Sequence, residues 1–258
     1  MKIYSEDFFY KNLLGFNSRE VIEDIVVTAN VYQNFTIKVN GKNRDISAIN
    51  SNTKLYHLQR KLLKNFLNNI PLPNCVCGFV EGKSYLDFLK PHCGKKYYIR
   101  LDIKNFFNSI KSINIAKVLD EYIQLENQEQ KQQVIKDICK IVTLNDSLPQ
   151  GAVTSPQLSN IFFRRLDIRI RNYCRKFKVE YTRYADDMLF SSMEESLHQD
   201  FFVNKISKIV KDINLNINKK KVIKSKNKII LNGYVISDKI SLSRNKMKKI
   251  NTFIYSFI

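Results

Sequence analysis

Apolar and polar residues alternate through YQNFTIKVNGKNRDISAIN, residues 32 to 50, on both sides of Asn40-Gly41. Period-two alternation around Asn-Gly predicts two strands joined by a tight turn, a finger carrying Lys38, Lys42 and Arg44. The period then changes. Leu55, Leu58, Leu62, Phe66 and Ile70 recur at helical spacing and stop before Pro71 and Pro73, which predicts an amphipathic helix. KKYYIRLDIKNFFNSI (95 to 110) starts as a strand and turns into a helix, and helical patterns follow near 112 to 125 and 128 to 143, before the polar turn NDSLPQG. In TSPQLSNIFFRRLDIRIRNYCRKF, Ser155 is placed to cap a helix with Pro156 at its first position, and Leu158, Ile161, Phe162 and Leu166 form its buried stripe. Val179 to Ser192 reads as a hairpin, 199 to 213 as a helix and 228 to 244 as a second small β unit, while the segment before Tyr32 reads as helical. Without repeats or Gly/Pro-rich linkers, this order predicts an α+β fold whose sheet is assembled from distant segments.

One stretch resists a plain reading. YTRYADDMLFS (181 to 191) puts Asp186 and Asp187 side by side among strand-forming residues. Adjacent carboxylates repel, and a strand running straight through would turn one of them toward a core. The pair therefore belongs at a hairpin tip. Turns favour Asp in any case, so a third acid carries the weight: Asp102 follows YYIRL and precedes IKNFF, at the end of a strand. Paired beside the hairpin, Asp102 and Asp186 face one another across the sheet end, which is how oxygen ligands for two Mg²⁺ ions are assembled. The chemistry that uses such a pair of ions on nucleotide phosphates is in-line phosphoryl transfer.

Composition narrows the substrate. The chain has 258 residues, enough for a sizeable core in one domain or two packed subdomains, and 44% of them are hydrophobic, which argues against disorder. Forty-three Lys and Arg against 24 acids give +19, and residues 201 to 258 alone carry 14 basic and two acidic side chains. A polyanionic partner, nucleic acid, is expected, lying along that last segment. Cys75, Cys77, Cys93, Cys139 and Cys174 are odd in number and lack CxxC spacing, so they read as free thiols in a reducing cytoplasm. The start MKIYSEDFFYKN has no signal-peptide core and no apolar run approaches a membrane span, so no membrane role is expected.

With these residues in view, the chain resembles bacterial reverse transcriptases of the retron or retron-like group. YTRYADDMLFS is similar to their YxDD hairpin, YIRLDIKNFFNSI to their first catalytic palm motif, and LPQGAVTSPQLSN to the loop and helix that hold template and incoming nucleotide. LNINKKK (215 to 221) and IILNGYVIS (229 to 237) resemble the two palm motifs that follow, and the 84-residue gap from Asp102 to Asp186 fits. The resemblance implies a right-hand polymerase. Residues 1–94, with part of 111–148, would be the N-terminal segment and fingers, 95–238 the palm, and 239–258 a basic helix serving as a minimal thumb. It implies Asp102, Ile103, Asp186 and Asp187 as the metal-binding set for two Mg²⁺ ions, with Mn²⁺ able to substitute, and Lys221 beside the acids as a catalytic residue. It also implies Arg44, Phe107, Gln150, Gly151 and Lys220 around the incoming nucleotide. Of these, Phe107 is the gate against a ribose 2′-OH, and Lys220 or Lys221 the lysine that protonates departing pyrophosphate. Tyr184, Arg244, Lys246, Lys248 and Lys249 would touch nucleic acid.

The implied activity is RNA-directed DNA synthesis on an RNA template from a DNA or RNA primer with dNTPs. A retron-like setting adds a structured non-coding RNA, a neighbouring effector protein or self-association, and antiphage defence. Two positions depart from the usual retron pattern. Phe88-Leu89-Lys90-Pro91-His92 stands where Asn-Ala-x-x-His is typical, and Leu231-Asn232-Gly233 where Val-Thr-Gly is typical. Two rival readings share the fold: a template-independent or protein-primed polymerase, and a non-catalytic RNA-binding scaffold.

Overall fold

The computed structural model describes residues 2–16, 22, 25, 31–39 and 42–255. Two compact units share the chain, Met1–Leu72 with Asn105–Arg164, and Pro73–Lys104 with Arg165–Ile258. They exchange at 72/73, 104/105 and 164/165, whereas the sequence reading divides the chain at 94/95 and 238/239.

In the first unit the expected finger is an antiparallel pair, β1 (Tyr32–Val39) and β2 (Lys42–Ile49), in register from Tyr32↔Ile49 to Val39↔Lys42. Its Asn40-Gly41 turn lies outside the described residues, as does much of the segment before Tyr32, where a π-helical turn, Phe8–Leu14, ends at Gly15. Helix α1 (Lys54–Asn65) is capped by the Thr53 hydroxyl, which accepts the Tyr56 N–H. It stops before the expected Ile70. Phe66 leaves helical geometry at φ −127° and Pro71 disfavours α conformation at the residue before it, so the apolar stripe continues into a 3₁₀ turn, Leu67–Asn69.

Segment Tyr85–Leu89, in the second unit, is the short helix α2, and the first unit resumes with the single turn α3 (Phe106–Ser109). Helix α4 (Ser112–Leu119) is shorter than its pattern because Ile3 takes the following residues into a parallel bridge, Ile3 N–H to Tyr122 O at 2.8 Å and Gln124 N–H to Ile3 O at 2.7 Å. The last carbonyls of helix α5 (Gln128–Val142) lie beyond the reach of its own N–H groups, and the buried Gln59 of α1 donates to one of them, Ile141 O, at 2.8 Å. Helix α6 (Ser155–Lys176) buries Leu158, Ile161, Phe162 and Leu166 as expected. Ser155 is not its cap: the helix already starts there, and the Ser155 hydroxyl has no hydrogen-bond partner among the described residues.

The second unit is built on an antiparallel sheet in the order β4 (Glu180–Tyr184), β5 (Asp187–Ser192), β3 (Tyr97–Asp102) and β6 (Ile223–Lys226). Strands β3 and β5 bury residues on both faces, through the apolar runs 97–99 and 188–190. On one face Tyr98 and Leu189 pack against Phe88 and Leu89 of α2 and against Ile229, Leu231 and Ile236 of a small sheet, β7 (Ile229–Leu231), β8 (Tyr234–Ile236) and β9 (Ile240–Leu242). On the other, Phe190 stacks on Tyr181 and meets Phe202 of helix α7 (Asp200–Lys211) edge-on. Strand β6, last in the sheet order, carries Lys224 and Lys226, the kind of charge that keeps an edge strand from pairing with another chain. Helix α8 (Arg244–Tyr255) closes the described chain and buries none of its side chains.

Candidate active site

Strand β3 ends at Asp102 and β5 begins at Asp187, and the register makes these two Cα partners. The expected opposition of Asp102 and Asp186 is therefore corrected: Asp187 stands opposite Asp102, and Asp186 meets the next residue through its backbone, its carbonyl accepting the Ile103 N–H at 3.0 Å. Tyr184 pairs with Asp187, leaving Ala185 and Asp186 as the hairpin tip. The LNINKKK segment runs beside the end of β3, with Asn218 N–H on Asp102 O at 2.7 Å and Lys104 N–H on Asn216 O at 2.9 Å. That contact brings Lys221, on the turn Lys219–Lys221, to Asp102, its Nζ donating to Oδ2 at 2.6 Å. Lys220 is exposed.

Arg100 is the residue the sequence reading missed here. Its Nε and Nη2 both donate to Asp187 Oδ1, at 2.9 and 2.5 Å. The signal was available, because residues two apart on a strand share a face, and long side chains reach the diagonal cross-strand neighbour.

The cluster is short of positive charge. Burial pushes the Asp186 carboxyl up, helped by the neighbouring Asp102. Burial pushes Asp187 up to about 6, and Arg100 only partly offsets it. Asp102 is almost fully buried, and its Oδ1 has no hydrogen-bond partner among the described residues. A buried, unpaired carboxylate oxygen beside a second, half-buried carboxyl fits a divalent cation. Among the described residues no three His, Cys, Asp or Glu side chains are grouped as a metal-binding cluster; Mg²⁺ is commonly bound through one or two carboxylates plus waters and substrate phosphates.

Four of the expected nucleotide contacts belong to the first unit. Ser47 of β2 donates its N–H to Gln150 O at 2.8 Å, and a Cβ added at Gly151 (φ +126°) would stand 2.9 Å from Ser47 O. Only glycine fits that turn against the finger strand, on which Arg44 lies exposed three residues away. Phe106 is buried against Phe163, whereas Phe107 is only half-buried.

In the second unit, the Tyr184 ring packs 5.1 Å from Tyr85 and 5.9 Å from Phe88. Lys246 has a contact inside the chain, lying over the Tyr234 ring at 3.7 Å and donating to Asn232 O at 3.3 Å. Arg244, Lys248 and Lys249 are exposed on α8. Both departures from the retron pattern have a structural setting. Asn232 and Gly233 form the β7–β8 turn with φ of +47° and +80°. His92 is fully buried between two hydroxyls, Nδ1 at 2.6 Å from Ser191 Oγ and Nε2 at 2.8 Å from Thr182 Oγ1. The Thr182 hydroxyl gives its proton to Phe88 O at 2.8 Å, so Nε2 carries the ring hydrogen and Nδ1 accepts from Ser191. His92 is a satisfied structural histidine. The five cysteines are free thiols, and among the described residues no helix is long and apolar enough to cross a membrane.

Residues 36–236 match the family model described as reverse transcriptase (RNA-dependent DNA polymerase). Among curated proteins, the chain is 31% identical over 248 residues to the retron Ec86 reverse transcriptase of Escherichia coli, covering 92% of this chain and 74% of that one. It is 32% identical over 198 residues to the retron Ec73 reverse transcriptase of the same species, covering 72% of this chain and 61% of that one. Among solved structures, the telomerase of Candida albicans in complex with a fragment of telomeric RNA superposes with a TM-score of 0.57 at 13% identity, over 82% of this chain and 46% of that one. That likeness supports the fold alone, a reverse transcriptase palm built on the β4-β5-β3-β6 sheet. The chain belongs to the retron-type reverse transcriptases, and is an RNA-directed DNA polymerase.

Proposed function

We propose that the acidic sheet end is the catalytic centre, where the primer 3′-hydroxyl attacks the α-phosphorus of a dNTP. The new P–O bond forms as the bond to the bridging α–β oxygen breaks and pyrophosphate leaves. The observation that carries this reading is the meeting of Asp102, Asp186 and Asp187 at the ends of β3 and β5, with a buried Asp102 oxygen left unpaired. Asp102 and Asp186, with the Ile103 carbonyl, would hold the two Mg²⁺ ions, for which Mn²⁺ can stand in. Bound there, the ions lower the pKa of the attacking hydroxyl and stabilise the leaving oxygen. Asp187, tied to Arg100, shapes the site more than it ligates. Lys221, held at Asp102, is the ammonium placed to give a proton to pyrophosphate.

In this reading the first unit is the fingers, the second is the palm, and α8 is a minimal thumb. Arg44, Phe107, Gln150, Gly151 and Lys220 address the incoming nucleotide, while Tyr184 and the exposed cations of α8 address the nucleic acid. The likeness to retron enzymes supports a structured non-coding RNA as the template. By family habit it also supports a role in antiphage defence with an effector protein, in the cytoplasm. The +19 charge supports RNA binding.

The test is primer extension by purified protein in Mg²⁺, with and without an RNA template, alongside sequencing of the nucleic acid that copurifies. Template-dependent dNTP addition and one enriched structured RNA are expected. Equal addition without template would favour the template-independent rival.

A further inference from the structure

Behind the acidic tip, Arg183 and Asp167 form an ion pair in which neither side chain is exposed. Arg183 Nε lies 2.9 Å from Asp167 Oδ1 and Nη2 lies 2.7 Å from Oδ2, a two-pronged fit. Tyr181 Oη donates to the same Oδ1 at 2.7 Å. The remaining guanidinium nitrogen, Nη1, donates to the carbonyl of Ala185 at 3.0 Å.

Ala185 is the residue before Asp186, and its φ of +55° is in the left-handed region that an alanine rarely adopts. Such a conformation persists only where its surroundings over-determine it, and these residues cluster at functional sites. The surroundings here are specific. Arg183 N–H bonds Cys75 O and Cys77 N–H bonds Arg183 O, both at 2.8 Å, so the 75–77 segment lies along β4. Gly78 then comes so close that a Cβ on it would stand 2.6 Å from Ala185 N. Stability alone does not call for a buried ion pair, since apolar side chains of similar volume commonly do as well.

We propose that the Arg183–Asp167 pair is a positioning device for the catalytic turn. Asp167 aims the guanidinium, Nη1 holds the Ala185 carbonyl, and the left-handed turn so fixed presents the Asp186 carboxylate. Neither residue touches substrate. The proposal rests on Asp186 being a metal-binding acid.

The double variant Asp167→Asn/Arg183→Met separates positioning from packing. It removes both buried charges and leaves an amide oxygen to accept from Tyr181. Arg183→Met alone strands the Asp167 carboxylate and is expected to melt far lower than wild type. The double variant is expected to melt near wild type and bind primer–template normally. Its Mn²⁺ affinity on that complex, read by electron paramagnetic resonance, should fall about 10- to 100-fold. Its kcat for single-nucleotide addition should fall in parallel, with KM for dNTP little changed. Wild-type Mn²⁺ affinity and kcat in the double variant would overturn the proposal. Should that variant not fold, Arg183→Lys keeps the buried charge but loses the fork, and the same Mn²⁺ loss is expected; wild-type affinity there would overturn it equally. Asp186→Asn keeps the distinction clear. Undiminished Mn²⁺ binding and extension by that variant would sink the metal reading itself, whereas the positioning claim fails in the Arg183 variants.

Discussion

Lys221 Nζ donates to Asp102 Oδ2 across 2.6 Å, while Lys220 beside it points to solvent. Three lysines in a row cannot be told apart by sequence; the turn Lys219–Lys221, pinned by Asn218 N–H on Asp102 O, selects one. Lys221→Ala should lower kcat for nucleotide addition by about 100-fold, the usual scale for a positioned proton donor. Lys220→Ala should cost far less. Rapid-quench single-turnover assays on both variants check this, and equal losses would remove the distinction.

Phe106 is the buried aromatic and Phe107 the half-buried one, so trimming Phe107 should not collapse the core. Phe107→Ala is expected to keep dNTP incorporation measurable and raise rNTP incorporation, because a gate acts by steric exclusion. The quantity to compare is the ratio of kcat/KM for the two sugars. An unchanged ratio would make Phe107 a packing residue only.

His92 gives the fold a pH dependence. Burial, with Lys95 adding to it, holds its ring down to about 3 from the ordinary 6.5. The unfolded chain takes up this proton below about pH 6.5 and the folded chain does not, so the contribution is complete above 6.5 and is lost as pH falls toward 3. The slope is about 1.4 kcal/mol per pH unit. Urea unfolding at pH 7.5 and 5 should show wild type losing about 2 kcal/mol more than His92→Asn over that interval. Parallel losses in the two proteins would contradict it.

Helix α8 presents Arg244, Lys248 and Lys249 to solvent, whereas Lys246 is spread over Tyr234. Replacing the three exposed cations by Ala should weaken primer–template binding, shorten products and flatten the slope of log K against log salt by about 0.7 to 0.9 for each lost phosphate contact. Lys246→Ala should instead loosen the helix, because Gly233 is packed under its stem. A triple variant with wild-type slope and product length would make α8 a solvated basic helix.

Much of this architecture was legible from alternation and spacing. The finger strands, the β3–α3 transition, the 179–192 hairpin and the small terminal sheet fall where hydrophobic period and turn residues put them. Of the two acids expected at the hairpin tip, however, only Asp186 is there, and Asp187 already pairs in β5. What the pattern could not show is pairing at a distance. Asp167 lies in RRLDIRIRNYCRK and reads as one more charge on an amphipathic helix, and Arg183 in so basic a chain reads as a strand residue facing water; their burial is a fact of tertiary structure. Register is equally hidden. A shift of one residue decides whether Asp186 or Asp187 stands opposite Asp102, and only the β3–β5 hydrogen bonds set it. Helical periodicity also overruns the helix where a distant bridge takes over the last turn, as Ile3 does after α4.

The central claim is that the acids at the ends of β3 and β5 perform the chemistry while other surfaces hold the nucleic acid. Single-nucleotide extension of an RNA-templated primer in Mg²⁺ by Asp102→Asn and by Asp186→Asn, with primer–template affinity measured on the same preparations, tests it most directly. Both variants should lose extension and keep wild-type affinity, since phosphate contacts come from side chains that the substitutions leave alone. Extension at the wild-type rate by either variant would contradict the account.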